Sequence, residues 1–275
     1  STCTGGNGLD PDFSVWQRRG CGWPGSESEP ESEFLRILGI TPFERPDLAL
    51  ARAFCRQQAA VAIDLGRDPV HWPAVFSFLT QENSRQVGRP AFCGVRVPDH
   101  IALRPEEIPE LAAFVVLTAD RDLQDWLPRC PVIVQVTTLA EAEKALAAGA
   151  NGLIAKGQES GGPVGEESSF VLLQRVADLA RARRVPVWCQ GGIGMHTAAA
   201  AVAGGAFGVV LDSQLALLAE CHLPEDIKTD LRAMDGSETR LLGGYSVYSR
   251  PGLTVAEYDA LPAEQVRALM SAQGE

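Results

Sequence analysis

Short apolar runs alternate with helix-period segments from residue 34 onward. The runs lack strict polar alternation, which is typical of strands buried on both faces, as in parallel sheets. The eight runs are FLRILGI (34–40), AVAID (60–64), AFCGVRV (91–97), AAFVVLT (112–118), PVIVQV (131–136), NGLIAK (151–156), PVWCQ (186–190) and FGVVLD (207–212). The segments with helical periodicity include DLALARAFCRQQ (47–58), TLAEAEKALAAG (138–149), SSFVLLQRVADLARARR (168–184) and HTAAAAVAGG (196–205).

This alternation predicts a parallel α/β fold, either a closed barrel or a doubly wound open sheet. We favour a (β/α)8 TIM barrel over residues 34–234, because the Gly-rich turns follow the sixth and seventh predicted strands and not the first. The chain has 275 residues, enough for one such barrel of about 250 residues. Residues 1–33 have the composition of a linker or interface segment. Residues 235–275 form a C-terminal extension that packs on the barrel or leads to a further domain.

Charge and cysteine usage exclude several classes of function. The net charge of −11 argues against non-specific nucleic-acid binding. No apolar run approaches the roughly 18 residues of a membrane span, and no signal peptide is recognisable. The seven cysteines are scattered and form no CxxC pair, which predicts a reduced, cytoplasmic protein without a metal site. The oligomeric state stays open, and a homodimer is one alternative.

Two Gly-rich turns fall where a barrel of this type places its active site, at the C-terminal ends of the strands. KGQESGGPVG (156–165) follows the sixth predicted strand, and QGGIGMHT (190–197) follows the seventh and opens a helix. Glycines let backbone N–H groups approach an anion, and a helix N-terminus adds a favourable dipole. A single GGIG turn is a weak signal, but the two turns together predict a phosphate site.

Two longer runs resemble a known family. They are TTLAEAEKALAAGANGLIAKGQESGG and PVWCQGGIGMHTAAAAVAGGAFGVVLDSQLAL. They resemble the nitronate monooxygenase-like FMN barrels, which include flavin-dependent enoyl reductases of polyketide and polyunsaturated fatty acid synthases. The resemblance is clear over residues 131–220 and fainter over 34–130. The run ITPFERPDLALARAFCRQQAAVAIDLG resembles the variant embedded in modular polyketide synthases, so a domain of a megasynthase is expected.

The resemblance implies an FMN site in which the 191–194 turn and Ser213 hold the phosphate. Other positions would lie along the flavin ring or its ribityl chain. The implied cofactor-binding residues are Gln135, Lys156, Gln158, Gly161, Gly162, Gly191, Gly192, Gly194, Asp212 and Ser213.

Lys156 and Glu159 are the two catalytic candidates. A cationic Lys156 near the ring would stabilise negative charge on a reduced flavin. Glu159 would be a proton donor, or it would accept backbone N–H groups within its own turn. Arg96, at the end of the third predicted strand, faces the pocket or pairs with Asp64 or Asp99.

Two positions depart from the family pattern. Nitronate monooxygenases read like EAGGH after the sixth strand, and the histidine is the expected general base. Here ESGG is followed by Pro163, which cannot accept a proton, so we expect no nitronate monooxygenase activity. Asp212 and Ser213 replace the usual Gly-Thr after the eighth strand. The Asp212 carboxylate either repels a phosphate or is a helix N-cap that faces away.

Two functions follow from these features, and the enzyme is favoured. The first is an FMN-dependent oxidoreductase domain that reduces an enoyl thioester on an acyl carrier protein, with NADPH or NADH as reductant. The second is a catalytically degenerate barrel that acts as a structural or docking module between neighbouring synthase domains. Pro163 and Asp212 favour the second function, whereas the two Gly-rich turns favour the first. A sugar-phosphate or nucleotide-precursor enzyme is a third alternative, by fold analogy alone.

Overall fold

A computed structural model describes most of the chain from residue 35 to residue 248. The described residues are 11, 35–84, 92–110, 112–235, 238–248, 261–262, 264–266 and 268. Apart from residue 11, the predicted linker segment 1–33 lies outside this set. None of the described helices has both the length and the apolar character that crossing a membrane requires.

Eight parallel strands close into a barrel in chain order, which confirms the predicted (β/α)8 fold. Closure is seen at β1, which pairs with the second strand on one side and with the last on the other. The strands are β1 (Ile37–Ile40), β2 (Ala60–Asp64), β3 (Cys93–Arg96), β4 (Val115–Thr118), β5 (Val132–Val136), β6 (Gly152–Lys156), β8 (Val187–Gln190) and β9 (Gly208–Leu211). The two-residue strand β7 (Gly162–Pro163) lies outside the barrel. The seventh and eighth barrel strands are therefore β8 and β9.

The structure gives the bounds of six α-helices. They are α1 (Leu48–Arg56), α2 (Trp72–Ser84), α3 (Leu139–Ala147), α4 (Ser169–Arg181), α5 (Met195–Ala203) and α6 (Glu225–Ala233). Three of them lie within the predicted helical segments, and a fourth, α5, begins one residue before its predicted segment. The Asp47 side chain caps α1 by accepting from the Ala49 and Leu50 amides. Gly149 and Gly205 follow the ends of α3 and α5 with φ of +96° and +99°, the left-handed conformation that favours glycine.

The connections that flank β4 contain no α-helix within the described residues. A short 3-10 helix (Pro105–Glu107) lies between β3 and β4, and turns join β4 to β5. Prolines at positions 98, 105, 109 and 128 lack a backbone N–H and fix φ, which favours turns in these segments.

The barrel interior is apolar at its centre. Trp188 of β8 is fully buried there and packs edge-on against Phe207, with ring centroids 5.3 Å apart. Its indole Nε1 donates to the Leu35 carbonyl at 2.6 Å, so the one polar atom of this side chain is satisfied. Gly152 of the neighbouring strand leaves room for the ring, because a Cβ there would lie 2.8 Å from it. This layer forms the floor below the polar mouth of the barrel.

A second, three-stranded sheet joins the C-terminal extension to the loop after β6. Strands β10 (Thr239–Leu242) and β11 (Tyr245–Tyr248) form an antiparallel hairpin, and β11 pairs with β7. Tyr245 lies opposite Pro163 in this pairing. Pro163 is tolerated because β7 is an edge strand, where a missing N–H interrupts no ladder. The extension thus contacts the loop that carries the ESGG turn.

Candidate active site at the barrel mouth

Polar residues occupy the last inward-facing position of several barrel strands. Side chains alternate along a strand, so a residue two positions after an inward apolar residue also faces inward. Gln135, Lys156 and Gln190 each lie two positions after a residue of the apolar core inside the barrel. These core residues are Ile133, Ile154 and Trp188, respectively. The same alternation places Asp64 and Arg96 in this layer. These polar side chains are buried, with Lys156 4% exposed and Gln190 3% exposed.

A chain of hydrogen bonds runs across this polar layer. The Arg96 guanidinium pairs with the Asp64 carboxylate and donates from Nε to Gln135 Oε1 at 3.0 Å. Gln135 Nε2 donates to Gln190 Oε1 at 2.7 Å, and Gln190 Nε2 donates to Asp212 Oδ2 at 2.6 Å. Arg96, Gln135 and Gln190 come from the third, fifth and seventh barrel strands, as expected for a layer built by alternate strands. The Gln135 amide is therefore held at both ends.

Asp64 is the more buried of the two carboxylates in this hydrogen-bond network, with an exposed fraction of 1%. Burial raises the pKa of the Asp64 carboxyl, and the facing Arg96 guanidinium lowers it by a smaller amount. Of the two partners considered for Arg96, the structure selects Asp64. The ion pair fixes the Arg96 side chain, and through it the orientation of Gln135.

A cavity of about 150 Å³ lies at the mouth above the polar layer. Arg96, Gln135 and Lys156 line it from the barrel, and Pro163 and Tyr245 line it from the C-terminal sheet. Its volume is below the roughly 300–1,000 Å³ of most ligand pockets. A ring system therefore enters only if some lining side chains move.

The ESGG turn contributes less to this cavity than the sequence predicts. Glu159 Oε2 accepts from the Ser169 amide at 2.9 Å and lies 2.7 Å from the Ser169 hydroxyl, at the start of α4. The carboxylate therefore accepts a backbone N–H, but from the first residue of α4 and not from within its own turn as the second alternative had it. Neither Glu159 nor Gln158 lines the mouth cavity, and neither do Gly161 and Gly162.

The 191–194 turn combines left-handed glycines with amides that lack an acceptor among the described residues. Gly191 and Gly192 have φ of +110° and +63°, which favour glycine. The amides of Gly191, Gly192 and Ile193 donate no hydrogen bond within the described part of the chain. The Gly194 amide, by contrast, donates to Thr197 Oγ1 at 2.7 Å. Two of the three predicted glycine amides, and the Ile193 amide that was not predicted, therefore remain available to an acceptor.

A buried hydroxyl without a partner lies beside this turn. Ser160 is 1% exposed, and its Oγ has no hydrogen-bond partner among the described residues. A Cβ placed on Gly191 would lie 2.8 Å from this oxygen, so the hydroxyl faces the turn backbone. Buried polar atoms usually have a partner, which makes this hydroxyl a candidate ligand contact.

Asp212 is a helix cap, as one of its two alternatives predicts, but in a different orientation. Its Oδ1 accepts from the Ser213 amide at 2.7 Å and caps the short 3-10 helix (Ser213–Leu217). The carboxylate does not face away, because Oδ2 accepts from Gln190 in the polar layer. Asp212 Oδ1 also lies 3.4 Å from the Ser213 hydroxyl. Both predicted phosphate donors of Ser213 are therefore in contact with the chain's own carboxylate.

Several residues of the mouth were not identified as site residues from the sequence. Among them, Tyr245 lines the cavity from β11, and His100 lines it from the loop after β3. The sequence feature that could have indicated the hairpin before Tyr245 is the Gly243–Gly244 pair, which is typical of a two-residue hairpin turn. The two glycines have φ of +56° and +86°. No sequence signal places this hairpin beside the ESGG turn.

The chain is a (β/α)8 protein with a buried polar layer and a glycine-rich turn at its C-terminal mouth, the end at which barrels of this class place their ligand sites. The sequence pattern of the nitronate monooxygenase family matches residues 111–250, slightly more than half of the chain. The chain belongs to the nitronate monooxygenase family.

Solved structures show the same fold. FabK from Thermotoga maritima matches with a TM-score of 0.67 and 22% identity over 87% of this chain and 79% of that chain. A nitroalkane oxidase from Streptomyces ansochromogenes matches with a TM-score of 0.62 and 21% identity over 87% and 85% of the two chains. The enoyl reductase domain of MlnA, from the macrolactin biosynthesis cluster of Bacillus amyloliquefaciens, matches with a TM-score of 0.62 and 12% identity over 96% and 75%. At these identities the similarity shows the fold alone. No curated protein matches the chain in sequence.

Proposed function

We propose that the chain is an FMN-dependent oxidoreductase domain that reduces enoyl thioesters. The observation that carries this proposal is a buried ammonium group, Lys156, in the same mouth as the free amides of the 191–193 turn. Membership of an oxidoreductase family supports the class of reaction. The fold shared with the enoyl reductase domain of MlnA supports the choice of substrate.

The residues present fit a flavin mononucleotide, with one conflict. The free turn amides and the Ser160 hydroxyl are suitable donors for a phosphate. Gln135 and Lys156 supply an amide and a positive charge for the polar edge of a flavin ring. The conflict is Asp212, whose carboxylate already contacts Ser213 and must give way for that residue to bind a phosphate.

The chain's own residues prepare the mouth for hydride transfer. A bound flavin would supply the hydride that reaches the β-carbon of the enoyl thioester. The Lys156 ammonium stabilises negative charge in a buried layer, where screening by water is weak. Gln135 is held by Arg96 and Gln190, so its amide needs no reorientation when a ligand binds. We assign proton delivery to the α-carbon to the Tyr245 phenol, because it lines the cavity and the facing Pro163 has no proton to give.

The proposed partners follow from the proposed reaction. The substrate is an enoyl group carried by an acyl carrier protein, and NADPH or NADH is the reductant. Neighbouring synthase domains are the proposed protein partners, since MlnA, whose enoyl reductase domain shares this fold, comes from a biosynthesis cluster.

A second candidate function is supported by two specific observations. Asp212 occupies the donors of Ser213, and the mouth cavity is only about 150 Å³. Both features favour a barrel that has lost its cofactor and acts as a structural or docking module. This candidate predicts a colourless protein that takes up no flavin.

A reduction assay with matched lysine variants tests the proposal. The chain is incubated with FMN, and NADPH or NADH oxidation is followed with a crotonyl thioester as substrate. We expect Lys156→Met to lower kcat/KM at least about 100-fold, because electrostatic stabilisation in a buried site is a large contribution. Lys144→Met, on the exposed face of α3, should leave the rate unchanged. Equal activity of Lys156→Met and the unmodified chain would overturn the role of Lys156. Absence of both flavin uptake and reduction would favour the docking module.

A further inference from the structure

We infer that Asp212 is a built-in anion that competes with the phosphate of an incoming cofactor. It would make this barrel discriminate against phosphorylated ligands in favour of the same ligand without phosphate. The identity of that ligand, a flavin, rests on the proposed function. The competition itself rests on the contacts of Asp212 alone.

Both oxygens of the Asp212 carboxylate are engaged. Oδ1 accepts from the Ser213 amide at 2.7 Å, and Oδ2 accepts from the Gln190 side chain at 2.6 Å. Hydrogen bonds to an ionised group are stronger than neutral ones. A phosphate that uses the Ser213 amide must displace Oδ1, and it brings further negative charge next to a carboxylate. We call the group formed by the 191–193 amides, the Ser160 hydroxyl and Ser213 the cradle. The Asp212 carboxylate therefore opposes the binding of a phosphate dianion at the Ser213 end of this cradle.

The other half of the cradle is open. The Gly191, Gly192 and Ile193 amides donate to no acceptor within the described residues, and the buried Ser160 hydroxyl has no partner there. Gln214 joins the two halves, since its Nε2 donates to the Ile193 carbonyl at 3.1 Å. The site thus has free donors on one side and the chain's own anion on the other.

The position of Asp212 is linked to the polar layer through Gln190. The same Gln190 amide that donates to Asp212 accepts from Gln135, which lines the mouth cavity. When Oδ2 leaves Gln190, the Nε2 donor of that side chain is freed. Displacement of Asp212 therefore alters the support of Gln135, so occupancy of the cradle affects ligand binding at the mouth.

Inorganic phosphate is the probe that tests the competition without a flavin. The midpoint of thermal unfolding is measured against phosphate concentration for the unmodified chain, Asp212→Asn and Asp212→Ser. Serine keeps a short N-cap acceptor without the charge, so it controls for loss of the cap. Asp230→Asn, on the exposed face of α6, makes the same change in net charge elsewhere. We expect saturable stabilisation by phosphate in both Asp212 variants and in neither of the other two proteins. The same response in all four proteins would overturn the inference.

Flavin titration separates this inference from the proposed function. The dissociation constants of FMN and riboflavin, which differ by the phosphate, are measured by the change in flavin fluorescence. We expect the ratio of the FMN to the riboflavin dissociation constant to fall about tenfold or more in Asp212→Asn, because both flavins share any change that reaches the mouth through Gln190. Flavin binding with the same FMN-to-riboflavin ratio in both proteins would overturn the inference and leave the proposed function standing. A phosphate response without any flavin binding would support the inference and overturn the proposed function. Neither response would overturn both.

Discussion

The chemistry of the mouth depends on single residues at the strand ends. The sequence predicts the inward direction of Gln135 and Lys156, because each follows an apolar core residue at a spacing of two. It does not predict the hydrogen bonds of Gln135, because these cross the barrel to strands that are not its neighbours. The contact between Asp212 and Gln190 also depends on the mutual position of β8 and β9, which no local pattern fixes.

The Cys189 thiol is expected to be inert in the folded protein. Burial, with a smaller effect from the Glu159 charge, raises the pKa of Cys189 from 9.0 to about 12. At pH 8 the thiolate fraction is then on the order of 10⁻⁴, against about 10⁻¹ for the unfolded chain. Alkylation of the Cys189 peptide by iodoacetamide, followed by mass spectrometry, should be at least about 100-fold slower in the native protein than in denaturant. Comparable rates would show that Cys189 is accessible and ionised.

Replacement of Tyr245 tests the assigned proton donor. If the phenol protonates the α-carbon, Tyr245→Phe should lower kcat for crotonyl thioester reduction by about 100-fold or more. Tyr248→Phe, in the same strand, is the matched control and should keep the rate of the unmodified chain. An unchanged rate in Tyr245→Phe would assign the proton to another group, such as His100 or water.

At the scale of elements, the sequence predicts the strands better than the loops. All eight apolar runs contain a barrel strand, but the first strand begins at Ile37 and not at residue 34. Strand ends follow the ladder to neighbouring strands, and Leu38 is paired with Ala60 and Val210. The loop between the ESGG turn and α4 differs most from expectation. It contains β7, which exists only because the distant strand β11 pairs with it.

Two glycines in neighbouring turns should differ in how much stability the protein loses when each is replaced by alanine. Gly191 has φ of +110°, and a Cβ there would lie 2.5 Å from Ser169 Oγ. Gly191→Ala should therefore lower the free energy of unfolding by about 1–3 kcal/mol. Gly161, in the ESGG turn, has no atom within 4 Å of a Cβ, so Gly161→Ala should be within about 0.5 kcal/mol of the unmodified chain. Urea unfolding measures the free energy of unfolding of both variants. Equal losses of this free energy would contradict the assigned conformation of the 191–194 turn.

At the scale of the whole molecule, the choice between the proposed enoyl reduction and nitronate oxidation depends on how the C-terminal sheet meets the barrel. A base for nitronate oxidation must lie within hydrogen-bond reach of the proton that it removes. At the position where the family is expected to carry a histidine, the chain has Pro163, held in β7 opposite Tyr245. Because the proline fixes the local backbone, a neighbouring side chain cannot easily take that place. Hydride transfer to an enoyl thioester needs a proton donor and no initial base, so this geometry obstructs only the nitronate reaction.

We therefore expect FMN-loaded protein to reduce a crotonyl thioester and to leave propionate 3-nitronate unoxidised in the presence of oxygen. The variant Pro163→His restores a titratable group on the edge strand beside the cavity and should gain measurable nitronate turnover. Pro163→Asn is the control, because it restores the backbone N–H and a polar side chain without a group that titrates near neutral pH. The rate of oxygen consumption in the presence of propionate 3-nitronate is measured for all three proteins. Turnover by the unmodified chain on the order of 10 per second, the median of enzymes, would show that another group serves as the base. Equal gains in the histidine and asparagine variants would show that loss of the proline, and not gain of a base, opens the reaction.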